Sequence, residues 1–117
     1  MEAASDGVSL DLDRAIHVGL IVNELITNAM KHAFPKGRQG EVTVAVATVG
    51  DQVQLHVRDN GRGLPAELNL ENAKSVGLRT VYILSKRLAA TISVANQNGA
   101  CFTISFPLKA EEPVEPK

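Results

Sequence analysis

Glu24, Asn28, Lys31 and His32 fall at helical spacing inside one apolar-rich run, Asn23-Glu24-Leu25-Ile26-Thr27-Asn28-Ala29-Met30-Lys31-His32. Glu24 and Asn28 are four residues apart, so on a helix they share a face one turn apart. Lys31 and His32 follow Asn28 by three and four residues, which keeps them on or beside that face. A carboxylate, a carboxamide, an ammonium and an imidazole make an odd core helix. They suit a metal-bound phosphate chain, because the oxygens can ligate a hard cation while the positive charge meets phosphate oxygens.

A second group, Asp59-Asn60-Gly61-Arg62-Gly63-Leu64-Pro65, stands where an apolar strand pattern ends. Gly61 to Ala66 fits the permissive dinucleotide pattern G-x-G-x-x-A. Pro65 and the polar run after it do not open a helix, and no Asp or Glu lies between Glu71 and Glu111 to meet a ribose, so the dinucleotide reading fails. A G-x-x-x-x-G-K-[ST] phosphate loop is absent as well. Asp59 is then the residue to explain. A carboxylate at a strand end, before glycines that let the backbone approach a planar ligand, can accept from an exocyclic amine such as the 6-amino group of adenine. Asp-Asn-Gly is also an ordinary turn, and taken alone the loop leaves both readings open. The third group is Ser75-Val76-Gly77-Leu78-Arg79. Free amides at a helix start attract phosphate, and a glycine removes the side chain that would block it; a plain Ser cap with a packing glycine reads the same way.

The elements that must position these groups follow from the hydrophobic pattern. Asp11 or Asp13 caps a helix running from Leu12 to about Phe34, with Ile16, Leu20, Leu25, Ala29 and Ala33 near helical spacing, and Pro35-Lys36-Gly37 ends it. Val42, Val44 and Val46 alternate along one strand. Gly50-Asp51 turns the chain into a second, with Val53, Leu55 and Val57 on one face. Residues 66 to 75 read as a short mobile loop with room for one helical turn. A second helix begins near Gly77 and buries Leu78, Val81, Leu84 or Ser85, and Leu88. Ile92 and Val94, then Phe102, Ile104 and Phe106, form a last hairpin about the Asn96-Gln97-Asn98-Gly99 turn. Gly7 to Leu10 reads as a short edge strand, and residues 1 to 6 as frayed. Helices separated by antiparallel hairpins predict an α+β fold, a two-layer sandwich with helices covering one face of a mixed, mostly antiparallel sheet.

Composition excludes several functions. The chain has 117 residues, enough for one domain with a core and too few for two. Its net charge of −1 gives no bulk attraction to nucleic acid or an anionic membrane, and 3% aromatic residues with no Trp provide no base-stacking platform. The single Cys101 cannot form an internal disulfide, and no Cys/His cluster has zinc spacing. No apolar run approaches the roughly 20 residues of a membrane span, and the start is not a signal peptide. A cytoplasmic, reducing environment fits.

The three groups, in this order, resemble the ATP-binding (Bergerat) fold shared by histidine kinases, DNA gyrase, the heat-shock chaperone ATPase and mismatch-repair ATPases. Asn23 to His32 is similar to the N box, Asp59 to Gly63 to the D-x-G-x-G box, Ser75 to Leu78 to the second glycine box, and Phe102 to Pro107 to the closing strand. The run N-E-L-x-T-N-A-x-K-H-A-F looks most like bacterial sensor histidine kinases, in a class without the Trp motif. Residues 1–9 read as an N-terminal segment, and the acidic, proline-bearing composition of 109–117 reads as a disordered tail. The resemblance implies an ATP-binding catalytic domain at 10–108. It also implies roles: Glu24 at the position of the general base of the family's ATPases, Asn28 as ligand of Mg²⁺, and Lys31 and His32 at the phosphates. Asp59 would hold the adenine amine, Gly61 and Gly63 shape its pocket, and Gly77 and Leu78 bound the lid. The family often has Thr or Ser after the glycine corresponding to Gly99; here Ala100 stands there, so that hydroxyl contact is either lost or supplied by Thr103 or water. The second glycine box has one glycine where many relatives have two or more, and Ala89-Ala90 replaces a glycine pair that often ends the helix.

None of His17, His32 and His56 reads as a phosphoacceptor. The resemblance therefore implies a kinase catalytic domain that uses Mg-ATP to phosphorylate a histidine on its own separate dimerisation domain. It would reach a response regulator only indirectly, and it would sit in the cytoplasm, free or as part of a larger sensor. An anti-sigma-factor-like serine/threonine kinase and a nucleotide-binding scaffold without turnover are the competing readings.

Overall fold

The computed structural model describes residues 2–5, 10–33, 40–64, 70, 73, 75–96 and 98–109, with backbone alone at 2–5, 32 and 33. Its elements are β1 (Glu2–Ser5), α1 (Leu12–Asn28) continued by a π-helical turn (Ala29–Ala33), β2 (Val42–Val49), β3 (Gln52–Asp59), α2 (Val76–Arg87), β4 (Thr91–Asn96) and β5 (Ala100–Pro107). The strands form one sheet in the order β1-β2-β3-β5-β4. β1 runs parallel to β2, and the other pairs are antiparallel. This is the mixed, mostly antiparallel α+β sandwich that the alternating and helical periods predict.

Strand alternation divides the sheet into two unlike faces. Val53, Leu55 and Val57 of β3 stand opposite Phe106, Ile104 and Phe102 of β5, and all six are buried. They form one core with Val42 and Val44 of β2, Ile21, Leu25 and Ala29 of the first helix and its π turn, and Leu78, Val81, Leu84 and Leu88 on or just beyond α2. The other face carries Thr43, Gln54, His56, Arg58, Thr103 and Ser105, none of them buried. Any functional group on the helix-covered side must therefore sit at an even register from these core residues. That parity decides one assignment below.

Three expectations are corrected. Ile16 and Leu20 do not face the sheet; they are 52% and 47% exposed. Two apolar stripes of helical spacing compete on α1. The one with Ile21, Leu25 and Ala29, flanked by the partly buried Val18, Val22 and Ile26, is broader and removes more apolar area from water. At the N-terminus the strand is Glu2–Ser5, within the stretch expected to fray, and the expected strand at 7–10 lies outside the described residues except for Leu10, which is not in a strand. Pairing at an edge is supplied by β2's otherwise unpaired backbone groups, which leave no mark in side-chain pattern. Finally, the first helix ends in a wider π turn instead of continuing as α-helix, so the angular spacing of Lys31 and His32 from Asn28 differs from the α-helical one.

Local chemistry fixes the helices. Asp11 caps α1 by accepting the Arg14 N–H at 3.2 Å. The Arg14 guanidinium donates to the carbonyls of Leu108 (3.0 Å) and Pro107 and lies 5.2 Å from the Phe106 ring centroid, tying the start of α1 to the end of β5. Ser75 caps α2 by accepting the Leu78 N–H at 3.3 Å. The same helix closes in a Schellman motif: Ala90 N–H donates to Ser85 O at 2.9 Å and Ala89 N–H to Lys86 O at 3.0 Å. Ala89 sits at φ 56°, a left-handed conformation usually given to glycine. Among the described residues, no helix is long and apolar enough to cross a membrane.

Two substitutions in α2 and its cap test this account. Ala89→Gly relieves the left-handed alanine and is expected to stabilise the fold by about 0.5–1 kcal/mol in urea denaturation. Ser85 is buried, and among the described residues its Oγ has no hydrogen-bond partner. Ser85→Ala is expected to be neutral or to raise stability by up to about 1 kcal/mol, and a loss of more than that would show that the hydroxyl has a partner.

Candidate functional site

Asp59 ends β3 on the helix-covered face, only 7% exposed. A carboxylate withdrawn from water needs donors in fixed positions. Its Oδ1 accepts two backbone N–H groups, from Gly61 at 2.9 Å and from Ala100 at 3.1 Å. The first bond closes an Asx turn and the second crosses to the start of the neighbouring strand. Oδ2 takes neither bond. The carboxylate is thus held at a set angle by one oxygen.

Gly99 makes this possible. It has φ 133°, and a Cβ built on it would stand 2.0 Å from the Asp59 carbonyl oxygen, so no other residue fits without moving backbone. Ala100 contributes its amide, while its side chain is buried in the core. The hydroxyl expected from Thr103 is not delivered. Thr103 pairs with His56 on the uncovered face, where its Oγ1 and His56 Nδ1 are 3.1 Å apart. Thr103 is an odd number of residues from Ala100, and strand alternation turns it away from Asp59.

The loop after Asp59 is strung between two asparagines. Asn60 extends the ladder toward β2: its N–H donates to Glu41 O at 3.2 Å, and its Oδ1 accepts the Glu41 N–H at 2.9 Å. On the other side Asn96, the last residue of β4, pairs with Leu64 in both directions. Leu64 N–H donates to Asn96 Oδ1, and Asn96 Nδ2 donates to Leu64 O, each at 2.8 Å. Gly63, at φ 81°, passes so close that a Cβ on it would lie 2.7 Å from Asn96 Oδ1. Gly63 is therefore backbone that must come close to Asn96. The asparagine that Gly63 approaches was not legible, since Asn96 reads as one more turn residue.

The second end of the site joins the two helices. A Cβ built on Gly77 would stand 2.6 Å from Glu24 Oε2, so the missing side chain leaves room for the Glu24 carboxylate at the first turn of α2. Glu24 and Gly77, far apart in sequence, thus meet. The first-turn N–H groups of any helix lack intrahelical partners and attract negative charge. Asn28 closes α1, half-buried, one residue before the core residue Ala29. Lys31 projects from the π turn as an exposed side chain, and the His32 side chain lies outside the described residues. Leu78 is a core residue: its side chain is buried and its N–H is taken by the Ser75 cap.

A concavity of about 330 Å³ opens on the outer side of Asp59, lined by Glu41, Thr43, Arg58, Asp59, Asn60 and Asn98. Glu24, Asn28 and Gly77 are not part of it. Among the described residues, no cluster of three or more His, Cys, Asp or Glu could hold a metal by itself. Oxygen donors are available at Asn28 and Glu24, a set that suits a hard cation carried in with phosphate oxygens.

Comparison with known proteins places this geometry. The profile of the family described as histidine kinase-, DNA gyrase B- and HSP90-like ATPase matches residues 13–110. The sensor histidine kinase PdtaS of Mycobacterium tuberculosis is 38% identical over 103 residues, which are 85% of this chain and 21% of that protein. Blue-light-activated histidine kinase 2 of Erythrobacter litoralis is 32% identical over 110 residues, 92% of this chain and 32% of that protein. The solved histidine kinase domain of the Erythrobacter litoralis EL346 blue-light-activated histidine kinase superposes with a TM-score of 0.82 at 31% identity, covering 92% of this chain and 50% of that one. The chain thus spans a fifth to a third of the length of these curated relatives. With its buried Asp59, its glycine loop and its Glu24–Gly77 contact, the chain belongs to the histidine kinase-, DNA gyrase B- and HSP90-like ATPase family.

Proposed function

We propose that this chain binds Mg-ATP and transfers the γ-phosphoryl group to a histidine on a separate dimerisation and phosphoacceptor domain, the catalytic step of two-component signalling. The observation that carries the reading is Asp59, a buried carboxylate with one oxygen fixed by Gly61 and Ala100. An acceptor so placed selects a base with an amine facing it. A guanine carbonyl at the same position would meet an oxygen, which is repulsive. Gly61 and Gly63 let the base plane approach the backbone.

At the phosphate end, Asn28 would hold Mg²⁺, which when bound would neutralise charge on the phosphate oxygens. Lys31, exposed on its turn, and His32 add positive charge from the chain. Gly77 brings the first turn of α2 close beside Glu24, and the N–H groups of that turn that lack partners attract the phosphate chain. Glu24, the general-base position of the related ATPases, stands beside that turn and orients the attacking group. Phosphoryl transfer requires mainly alignment and charge neutralisation, so these groups are sufficient on the nucleotide side.

The acceptor is proposed to lie elsewhere. His17 donates from Nδ1 to the Asp13 carbonyl of its own helix at 2.6 Å, and His56 is held by Thr103 on the sheet face away from Asp59. The much longer kinase relatives support a partner domain in the same protein. A response regulator would be reached through that domain, in the cytoplasm where ATP is present.

Two measurements test this. Calorimetry is expected to show Mg-ATP binding that Asp59→Asn weakens by about 10- to 100-fold, the worth of a charged buried hydrogen bond, while Asn28→Ala removes the gain in affinity on adding Mg²⁺. A folded chain that binds no adenine nucleotide would remove the reading. Incubation with γ-labelled ATP and a histidine-bearing dimerisation domain is expected to give an acid-labile phosphoprotein. An acid-stable product would instead assign the chain to serine or threonine phosphorylation, and no product to a scaffold.

A further inference from the structure

The β4–β5 turn does more than reverse the chain. Its two ends grip the loop that follows Asp59 at two separate points. Ala100 N–H holds the Asp59 carboxylate at the start of that loop, and Asn96 holds Leu64 at its end by paired bonds of 2.8 Å across 32 residues of sequence. Between them Gly99 lies under the Asp59 carbonyl and Gly63 lies against Asn96 Oδ1, both too close for a side chain. Paired bonds to one residue's N–H and C=O fix a backbone segment in position and in rotation, as a sheet pair does. Asn96 is exposed at the rim, so its amide is not there to fill the core.

We infer that Asn96 is a positioning residue that sets base specificity, by fixing the Gly61–Leu64 wall against which the base must fit. This rests on the nucleotide reading given above. A carboxylate can reject a guanine carbonyl only if the opposite wall prevents the base from sliding to a different register. Discrimination by polar groups is large in a rigid site and small in one that can relax. Asp59 keeps its bond to Ala100 when Asn96 is removed, so the acceptor stays and the wall moves. The expected result is lost selectivity beyond the loss of affinity.

The test is calorimetric titration of the whole chain with Mg-ADP and Mg-GDP, with folding checked by far-UV circular dichroism. Asn96→Ala is expected to weaken ADP by about 5- to 20-fold, as for two neutral hydrogen bonds. It is also expected to narrow the ADP-to-GDP affinity ratio by about threefold or more. A role confined to stability would lower the melting temperature and leave that ratio unchanged. An ADP affinity within about twofold of the parent, or a ratio that stays constant, overturns the inference. If Asn96→Ala does not fold, Asn96→Asp, which is isosteric and keeps the acceptor for Leu64 N–H, is judged by the same two criteria. Absence of ADP binding by the unsubstituted chain would sink the nucleotide reading and this inference together, whereas normal binding with an unaffected Asn96→Ala sinks this inference alone.

Discussion

A carboxylate taken out of water at the end of β3 is the constraint on which the rest of the site depends. Asp59 is 7% exposed, and a charge so placed is tolerated only where donors are fixed around it. One donor, Gly61 N–H, is local and comes from the turn. The other, Ala100 N–H, requires β5 to begin level with the end of β3, which fixes the register of the central pair. That in turn drives the preceding turn under the Asp59 carbonyl, where only Gly99 fits. One buried charge therefore dictates a strand register, an obligatory glycine and the length of a hairpin.

The helices answer a different demand. A sandwich with helices on one side must bury an apolar stripe of α1 and still present polar groups beside it. Leu25 is buried and its neighbour Glu24 is half-exposed, about 100° further round the helix, which is the most a single residue step allows. Gly77 then provides the space that the Glu24 carboxylate occupies at the start of α2. The π turn after Asn28 widens the end of the same helix, at the place where the Lys31 side chain stands exposed. Such turns recur at functional sites because they re-aim side chains without ending the helix.

The parts legible in the sequence were those governed by a period. Alternation along β3 and β5, the α2 stripe from Leu78 to Leu88, the Ser75 cap and the Gly50 turn all follow from side-chain spacing. Competition was not legible: two stripes on α1 share the helical period, and only packing against the sheet selects Ile21 over Ile16 and Leu20. Backbone roles were hidden too. Ala100 acts through its N–H, which a search for a hydroxyl overlooks, and β1 is held by main-chain pairing. Strand alternation by itself excludes Thr103, which lies three positions beyond Ala100 and so on the opposite face. Asn96 carried no such signal, because its role exists only once Leu64 is beside it.

The division of labour implied by the site follows from the chemistry of phosphoryl transfer. The reaction asks for alignment and charge neutralisation and little covalent participation by the protein. On the proposed reading, a domain that fixes a base at Asp59 and places the phosphates near the start of α2 defines the donor and leaves the acceptor unspecified. Water, a histidine or a hydroxyl presented in line would meet the same proposed nucleotide geometry. This accounts physically for one family description that joins histidine kinases with gyrase B- and HSP90-like ATPases. On the proposed reading, what makes this chain a histidine kinase is the group brought to the γ-phosphate, and the selectivity built into its own loops concerns the base.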